Sequence, residues 1–349
     1  MEKRKLGNSD LIVSVLGMGC WQYGGGSYWG EQNQRDVDLV VHKSLDLGIN
    51  YFDTAEVYND GESEKALGIA IKNKRNQAII GTKFTPANAT PVSLRQSCEQ
   101  SLKRLQTDYI DLYMLHWPIN HHAIRHFTDN EDSISNPPLS QEVFQTLEDL
   151  QKEGKIRYIG VSNHGVKQMK AVEEVNPSVM TNELAYNLFS RGIEHEILPY
   201  CTEKNIGVIG YMPLQQGLLT GKYSSLSDVK PMQARSRHFH FSRGEGSRHG
   251  ENGAEQEIEI ALAEIKAIAD ELNVHMIELS LAWAISNQEI SSTIVGSRTE
   301  RHLDLNVKGA YLKLPQDVMN RLNDITNPVL EKLGANPDYY ESRYNSRIF

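Results

Sequence analysis

The feature that most constrains the fold of this chain is a regular alternation of short apolar runs with longer amphipathic segments. The short runs are typical of buried strands, and the longer segments carry apolar residues at helical spacing, as at Val37, Val40, Val41 and Leu45. Strands that alternate with helices form βαβ units and a parallel sheet. The predicted strands lie near residues 15–21, 50–53, 78–83, 109–116, 157–162, 179–184, 207–212 and 292–296.

Eight strands with intervening helices predict a closed (β/α)8 barrel, formed by residues 1–349 as one domain, with an open doubly wound sheet as the alternative. The sequence of residues 2–13 predicts a β-hairpin that precedes the first barrel strand. Further helices are predicted near residues 63–74, 92–105, 141–153, 166–175, 193–204, 256–272 and 276–287. The C-terminal tail, residues 317–349, is expected to pack on the barrel through Tyr339, Tyr340, Tyr344 and Phe349.

Two long segments, residues 117–139 and 224–253, interrupt the alternation just after predicted strands. Structureless loops of this length are uncommon in compact domains and often act as lids or binding loops. The second segment contains the basic and aromatic run Arg235–Arg243. We consider two interpretations of this run: a contact for the cofactor or for an anionic or polyhydroxylated substrate, and a solvent-exposed loop.

Titratable side chains stand at or just beyond three predicted strand ends. Asp53 ends the second strand, with Tyr58 in the loop that follows, Lys83 ends the third and His116 follows the fourth. The carboxyl ends of parallel strands meet at one edge, where the loops converge on a ligand. We therefore expect these four side chains to lie together in one active site.

Composition and charge exclude several classes of function. The chain has 45 acidic and 36 basic residues, and its net charge of -9 argues against a nucleic-acid or anionic-membrane partner. No apolar leader or bilayer-spanning run is visible, so a cytoplasmic location is expected. Cys20, Cys98 and Cys201 form no CxxC pair and the histidines lack ligand spacing, so no disulfide or metal site is predicted.

The motifs around the four strand-end residues resemble those of the aldo-keto reductase family. They are Asp53-Thr54-Ala55-Glu56-Val57-Tyr58, Thr82-Lys83 and Leu115-His116-Trp117-Pro118. The resemblance continues through residues 160–163, 182–187, 210–221 and 295–298. It implies an NADP(H)-dependent oxidoreductase in which Tyr58 is the general acid/base, assisted by Lys83, Asp53 and His116.

The chemistry of these residues agrees with that role. A carbonyl that accepts hydride develops negative charge on oxygen and needs a proton donor. A free tyrosine titrates near pH 10, and an ammonium about 4 Å away lowers that pKa by roughly three units before desolvation is counted. We therefore expect Lys83 to lower the pKa of Tyr58, Asp53 to keep Lys83 charged, and His116 to orient the carbonyl.

The resemblance also implies a set of cofactor contacts. Ser162 and Asn163 would hold the nicotinamide carboxamide and Tyr186 would stack on the ring. The pyrophosphate would lie against Tyr211, Pro213, Leu214, Gly217 and Lys222. The adenosine end would lie against Ser297, Arg298 and Asn306, with Gly19, Cys20, Trp21, Asp53, Gly296 and His302 completing the cofactor site. Substrate contacts are assigned to Trp21, Tyr58, His116, Trp117 and Asn163.

Two positions depart from the family pattern. Glu183 stands where a glutamine usually contacts the carboxamide, and Leu305 replaces an acidic residue that often precedes the adenine-contacting Asn306. A carboxylate beside the ring favours the cationic, oxidised nicotinamide, so we hypothesise a bias toward alcohol oxidation. Arg298 offers a charged fork to a 2′-phosphate, so NADP(H) is preferred and NAD(H) is possible.

The expected substrate is a small carbonyl or alcohol, most simply a sugar, a polyol or a related hydroxy-carbonyl compound. Two alternatives stay open: a NAD-dependent sugar or polyol dehydrogenase that works in the oxidative direction, and a cofactor-sensing regulatory subunit resembling potassium-channel β subunits. The complete set of four catalytic residues favours an enzyme. The sequence carries no signal for the oligomeric state.

Overall fold

A closed barrel of eight parallel strands forms the centre of the protein in a computed structural model, which describes residues 1–176 and 178–348. Strands β1 (Lys3–Lys5) and β2 (Ile12–Ser14) pair as an antiparallel hairpin before the barrel. The barrel strands are β3 (Leu16–Gly19), β4 (Tyr51–Asp53), β5 (Ile79–Phe84), β6 (Ile110–Leu115), β7 (Ile156–Ser162), β8 (Thr181–Ala185), β9 (Gly207–Tyr211) and β10 (Ile290–Gly296). The predicted (β/α)8 barrel is thereby confirmed.

Helices separate the strands and cover the outside of the barrel. They are α1 (Gln34–Asp46), α2 (Glu62–Ile71), α3 (Pro91–Leu105), α4 (His121–Ile124), α5 (Glu131–Ser135), α6 (Ser140–Lys152), α7 (Val166–Val175), α8 (Ile197–Glu203), α9 (Glu255–Glu271), α10 (Met276–Ser286), α11 (Glu300–Tyr311) and α12 (Gln316–Leu333). One expectation was wrong, because residues 117–139 are not structureless and contain the short helices α4 and α5. The tail begins with the 18-residue helix α12, for which no prediction was made.

Neighbours in the sequence are neighbours in the barrel, which closes between β10 and β3. The alternation of side chains along each strand sends one set into the barrel and the other toward the helices. Gly81 shows how tightly the interior is filled, since a Cβ at this position would lie 2.3 Å from the Tyr51 hydroxyl. That close approach lets Tyr51 reach Asp53, to which it donates a hydrogen bond of 3.3 Å.

The hairpin closes the end of the barrel where the strands begin. Leu6, Leu11 and Val13 are buried there against interior residues such as Leu112 and Ile209. Burial of a leucine-sized side chain contributes about 2 kcal/mol, so this small cluster holds the hairpin firmly. The open end of the barrel lies at the strand carboxyl ends, where residues 117–139, residues 224–253 and the tail converge.

Within the described residues no helix is both long and apolar enough to cross a membrane. The tail after α12 folds back toward the barrel mouth, and its Tyr339 is buried. Tyr344 is 93% exposed, so the expectation that it packs on the barrel was wrong. The expectation for Phe349 lies outside the described residues.

Candidate active site

A cavity of about 620 Å³ opens at the carboxyl ends of the barrel strands. Three of the four strand-end residues, Asp53, Tyr58 and His116, line it directly. Lys83 lies just beneath them and is completely buried. The sequence prediction that these side chains share one site therefore agrees with the geometry.

Lys83 is held by an anionic and polar surrounding. Its Nζ lies 2.5 Å from Asp53 Oδ1 and donates to the Thr54 carbonyl at 3.0 Å. Glu183 Oε1 lies 3.3 Å from the same nitrogen. Burial alone lowers the pKa of a lysine, but the two carboxyl groups outweigh it and raise the pKa of Lys83, which therefore stays an ammonium.

Tyr58 begins a short helical turn after β4, and its ring lies over the same ammonium. Lys83 Nζ is 5.3 Å from the centre of the Tyr58 ring. Burial raises the pKa of Tyr58 well above its usual value of 10, and Lys83 offsets only part of that increase. Lys83 lowers the pKa of Tyr58 as expected, but desolvation of the phenolate raises the same pKa by more, so the net shift is upward.

His116 follows β6 and contacts Tyr58. The two rings meet edge to face, with centres 5.7 Å apart. Burial and the nearby Lys83 charge lower the pKa of His116 well below 6.5, so the imidazole is neutral. Among the residues that the structure describes, none is a hydrogen-bond partner of its Nδ1. A neutral imidazole has a single N–H, so this ring can donate one hydrogen bond to a substrate oxygen.

The ends of β7 and β8 form one continuous wall of the cavity. Ser162 Oγ and the Asn163 amide N–H both donate to the Glu183 carbonyl, at 3.0 and 2.9 Å. Asn163 Oδ1 accepts from the Tyr211 hydroxyl at 2.7 Å. Because each member is fixed by a neighbour, this wall is rigid before any ligand arrives.

Glu183 contributes a buried carboxyl group to that wall. Burial and the nearby Asp53 raise the pKa of Glu183 well above its usual value, which favours the protonated acid. Its Oε2 is buried without a hydrogen-bond partner in the protein, although the residue lines the cavity. The expectation of a fixed carboxylate at position 183 therefore needs revision.

Tyr186 does not line the cavity, so the expectation that it stacks on a nicotinamide ring was wrong. Glu183 points into the barrel, and three residues along a strand reverse the side. The Tyr186 ring therefore packs outside the barrel against Trp283, with centres 5.1 Å apart, and its hydroxyl donates to Glu194. Tyr211, at the end of β9, is the aromatic residue that borders the cavity at this level.

The residues assigned to a pyrophosphate line the next part of the cavity. Tyr211, Pro213, Leu214, Gly217 and Lys222 are all there. Gly217 adopts φ +99°, and a Cβ would lie 2.6 Å from Lys222 Nζ. Because Gly217 has no side chain, a ligand can approach its backbone closely beside the Lys222 ammonium. This combination suits a phosphate group. Together with the orphaned Glu183 oxygen, this cradle fits a nicotinamide dinucleotide.

The adenosine assignments divide into two groups. Gly296, Arg298 and His302 line the cavity, whereas Ser297 and Asn306 lie behind its surface. Asn306 Nδ2 donates to Ser297 Oγ at 3.0 Å, so the pair supports this wall from within. The expectation of direct contact by these two residues is not met.

Arg298 binds the N-terminal loop in this structure. Its Nε donates to Gln32 Oε1 at 2.8 Å and its Nη1 to the Trp29 carbonyl at 2.5 Å, while Nη2 donates to the Glu31 carbonyl. All three nitrogens are therefore engaged. One N–H on each of Nη1 and Nη2 stays available, so a 2′-phosphate would share this guanidinium with the loop.

The mouth of the cavity contains residues that the motifs did not single out for the site. Two of them, Tyr28 and Trp29, surround the assigned residue Trp21: Tyr28 stacks on it, with ring centres 5.1 Å apart, and Trp29 meets it edge to face. The other unassigned lining side chains include Gln22, His126, Met212, Gln216, Thr220, Gln233, Arg235, Arg248, Tyr340 and Arg347. Tyr28 and Trp29 could have been indicated by the sequence, because they are aromatic residues close to the glycine run 24–26.

The tail supplies a wall of the substrate side. The Arg347 guanidinium lies over the Trp117 ring, 3.7 Å from its centre. Asp338 holds this arginine through two contacts, at 2.6 and 2.9 Å, and both side chains are buried. Tyr340 lies beside them and accepts a hydrogen bond from Gln216 Nε2 at 2.6 Å.

Comparison with known proteins gives a consistent assignment. The model of the aldo/keto reductase family matches residues 15–327. An NADH-specific methylglyoxal reductase of Escherichia coli (strain K12) is 29% identical over 90% of this chain and 95% of its own length. The aldo-keto reductase YhdN of Bacillus subtilis (strain 168) is 37% identical, but that match covers 64% of this chain and 65% of the relative.

Solved structures match the whole architecture. The glycerol dehydrogenase AKR11B4 from Gluconobacter oxydans superimposes with a TM-score of 0.76 at 27% identity, covering 96% of this chain and 97% of the other. An aldo/keto reductase from Klebsiella pneumoniae in complex with NADP and acetate gives a TM-score of 0.68 at 27% identity, with coverage of 91% and 93%.

Proposed function

Because this chain belongs to the aldo/keto reductase family, we propose that it transfers a hydride between NADP(H) and a carbonyl or alcohol substrate at the barrel mouth. The observation that carries the proposal is the placement of Asp53, Tyr58, Lys83 and His116 around one end of the cavity. We propose that residues 1–349 act as one barrel domain and that the reaction takes place in the cytoplasm.

Tyr58 is the proton donor in this proposal. Its raised pKa keeps it protonated at neutral pH, so it enters the reduction direction as an acid. The adjacent Lys83 ammonium stabilises the phenolate that forms when the proton leaves, and Asp53 holds that ammonium in position. His116 orients the carbonyl oxygen toward Tyr58 through its single N–H.

Bound NADPH would supply the hydride. The wall formed by Ser162, Asn163 and Glu183 would hold the carboxamide, with Tyr211 beside the ring. Gly217 and Lys222 would contact the pyrophosphate, and Gly296 and His302 the adenosine end. These assignments place the nicotinamide next to Tyr58, which is the geometry that hydride transfer requires.

The substrate side favours a small, oxygen-rich compound. Trp21 and Trp117 provide aromatic surface, while Arg235, Tyr340 and His126 provide polar groups. We propose a sugar, a polyol or a related hydroxy-carbonyl compound. The names of two relatives, a methylglyoxal reductase and a glycerol dehydrogenase, support this class of substrate.

A pair of tyrosine variants tests the proposal. In Tyr58→Phe, turnover of a panel of carbonyl substrates is expected to fall about 10²–10⁴-fold, because the acid is removed. The dissociation constant for NADPH, measured by fluorescence titration, is expected to stay within about threefold, since the phenol does not hold the cofactor. Tyr113→Phe is the matched control, because that hydroxyl is buried without a partner.

Unchanged turnover in Tyr58→Phe would refute the catalytic assignment. Cofactor binding without turnover of any carbonyl or alcohol by the wild-type protein would instead favour the regulatory-subunit alternative.

A NAD-dependent dehydrogenase is the second candidate, and one observation favours it. Arg298, the fork assigned to a 2′-phosphate, is already engaged by the loop at residues 29–32. The E. coli relative is named as NADH-specific. Parallel titration of the wild-type protein with NADPH and NADH separates the two candidates. Tighter NADPH binding supports the first, and NADH binding that is as tight or tighter supports the second.

A further inference from the structure

Two carboxyl groups share one lysine at the base of the cavity. Asp53 Oδ1 and Glu183 Oε1 lie 2.5 and 3.3 Å from Lys83 Nζ, and none of the three side chains is more than 3% exposed. If both carboxyl groups were ionised, the cluster would carry a net charge of about −1 in a site with little water. Two carboxyl groups that contact the same buried ammonium are not both ionised, so one of them holds a proton.

Glu183 is the member that holds it. Asp53 accepts from Lys83 at one oxygen and from the Tyr51 hydroxyl at the other, so its negative charge is doubly stabilised. Glu183 has only the longer contact with Lys83, and among the described residues no donor reaches its second oxygen. Its carboxyl group also lies within hydrogen-bonding range of Asp53, a contact that raises the pKa of Glu183 and is favourable only when one of the two groups is protonated. Apart from Asp53 and Lys83, the titratable groups that act on Glu183 are the phenols of Tyr51, Tyr58 and Tyr211, which are neutral at physiological pH.

Glu183 also borders the place where a nicotinamide ring would lie. Its backbone carbonyl accepts from Ser162 and Asn163, and its side chain lines the cavity with Tyr211. An oxidised nicotinamide is a cation and a reduced one is neutral. Only the oxidised ring can therefore replace the proton of Glu183 as the positive charge that balances the cluster.

We propose that binding of the oxidised cofactor releases the proton of Glu183 to solvent, whereas the reduced cofactor binds while Glu183 stays protonated. The O–H bond of the acid breaks, the proton leaves to water, and the resulting carboxylate faces the cationic ring. This inference rests on the proposed function and deepens it. It makes pH the variable that sets the relative affinity of the enzyme for the two redox forms.

The linkage has a definite sign and size. While Glu183 is protonated in the free enzyme, each pH unit upward favours release of the proton, so the affinity for the oxidised cofactor rises up to tenfold per unit. The affinity for the reduced cofactor is expected to change little over the same range. Glutamine at position 183 has no proton to release. In Glu183→Gln the affinity for the oxidised cofactor should therefore change little with pH.

Calorimetry measures this proton directly. Titrations with NADP⁺ and NADPH at one pH, each in buffers with different ionisation enthalpies, give the number of protons released per cofactor bound. Both cofactors carry the same phosphates, so the difference between them isolates the ring. We expect about one proton more for NADP⁺ than for NADPH in the wild-type protein and no difference in Glu183→Gln.

Glu64→Gln serves as the matched control, because Glu64 is also a buried carboxyl group beside a cation, Arg104, but lies outside the cavity. It is expected to keep the wild-type difference. An equal proton count for the two cofactors in the wild-type protein would overturn the inference, as would a difference that persists in Glu183→Gln. Both results leave the proposed function standing. Failure of either cofactor to bind would refute the proposed function as well.

Discussion

His238 is a buried imidazole whose hydrogen bonds fix it in the neutral form. Its Nε2 lies 3.0 Å from the Phe189 carbonyl, which can only accept, and its Nδ1 lies 3.0 Å from the donor amide of Gln215. The Ser236 hydroxyl also lies 3.1 Å from Nδ1, and a proton on this nitrogen would displace the hydrogen bond from Gln215. Burial, the first cause, lowers the pKa of His238 to about 3.

This residue makes stability depend on pH. Below the unfolded pKa near 6.5 the unfolded chain binds a proton that the folded protein does not, so stability falls as the pH decreases from about 6.5 toward 3. Between pH 7 and pH 5 the His238 contribution is a loss of about 2 kcal/mol. Urea unfolding at the two pH values should show this loss in the wild-type protein and a smaller loss in His238→Gln.

His195→Gln, a substitution of an exposed histidine, is the control and should retain the wild-type pH dependence. An identical dependence in His238→Gln and in the wild-type protein would contradict the assignment.

Some residues of the site could be predicted from the sequence and others could not. Asp53, Lys83 and His116 were predictable because each stands at a strand end, where the fold itself brings side chains together. Choosing between Tyr186 and Tyr211 required the orientation of each strand, and one residue of difference moves a side chain to the other face. The upward shift of the Tyr58 pKa could not be predicted, because it depends on how deeply the phenol is buried. The spacing of residues in the sequence does not reveal that burial.

At the scale of elements, the strands and most helices follow from hydrophobic periodicity, but the mouth segments do not. The C-terminal tail is fixed mainly by the ion pair between Asp338 and Arg347 and by the stacking of Arg347 on Trp117. The stacking joins positions 230 residues apart in the sequence, so no local sequence pattern predicts it. Helices α4, α5, α11 and α12 were likewise absent from the prediction.

Breaking that ion pair should destabilise the tail. Asp338→Asn leaves the Arg347 charge buried without its partner, and we expect a loss of about 3 kcal/mol in the free energy of unfolding. The double variant Asp338→Asn/Arg347→Met removes the unpaired charge and should recover part of that loss. Chemical denaturation of the three proteins measures both values. A double variant no more stable than the single one would argue against the buried charge as the cause.

The whole molecule separates stability from chemistry along the barrel axis. At the hairpin end, Arg4 joins β1 to the end of α10 and the start of β10, donating to the carbonyls of Ile285, Asn287 and Ile290 at 2.6–2.9 Å. At the opposite end the strand termini hold the titratable groups of the cavity. Residues at the first end of such barrels serve stability and those at the second serve function.

Arg4→Met should therefore lower the stability of the fold without changing cofactor affinity. Hydrogen bonds to a charged donor contribute about 1.5–3 kcal/mol, so we expect a loss of roughly 2 kcal/mol in unfolding free energy. The dissociation constant for NADPH should stay within about twofold. Thermal unfolding and cofactor titration measure the two effects, with Lys5→Met as the exposed control on the same strand. Weakened cofactor binding in a protein of unchanged stability would contradict this separation.

The contacts among the mouth segments constrain how this enzyme can change over evolution. Arg347 of the tail rests on Trp117 of one loop, and Arg248 of another loop pairs with Glu341 of the tail. An insertion or exchange in one of these segments removes a partner from another. Lineages that acquire a new substrate are therefore expected to replace the segments as a set, while the barrel strands beneath them are inherited unchanged.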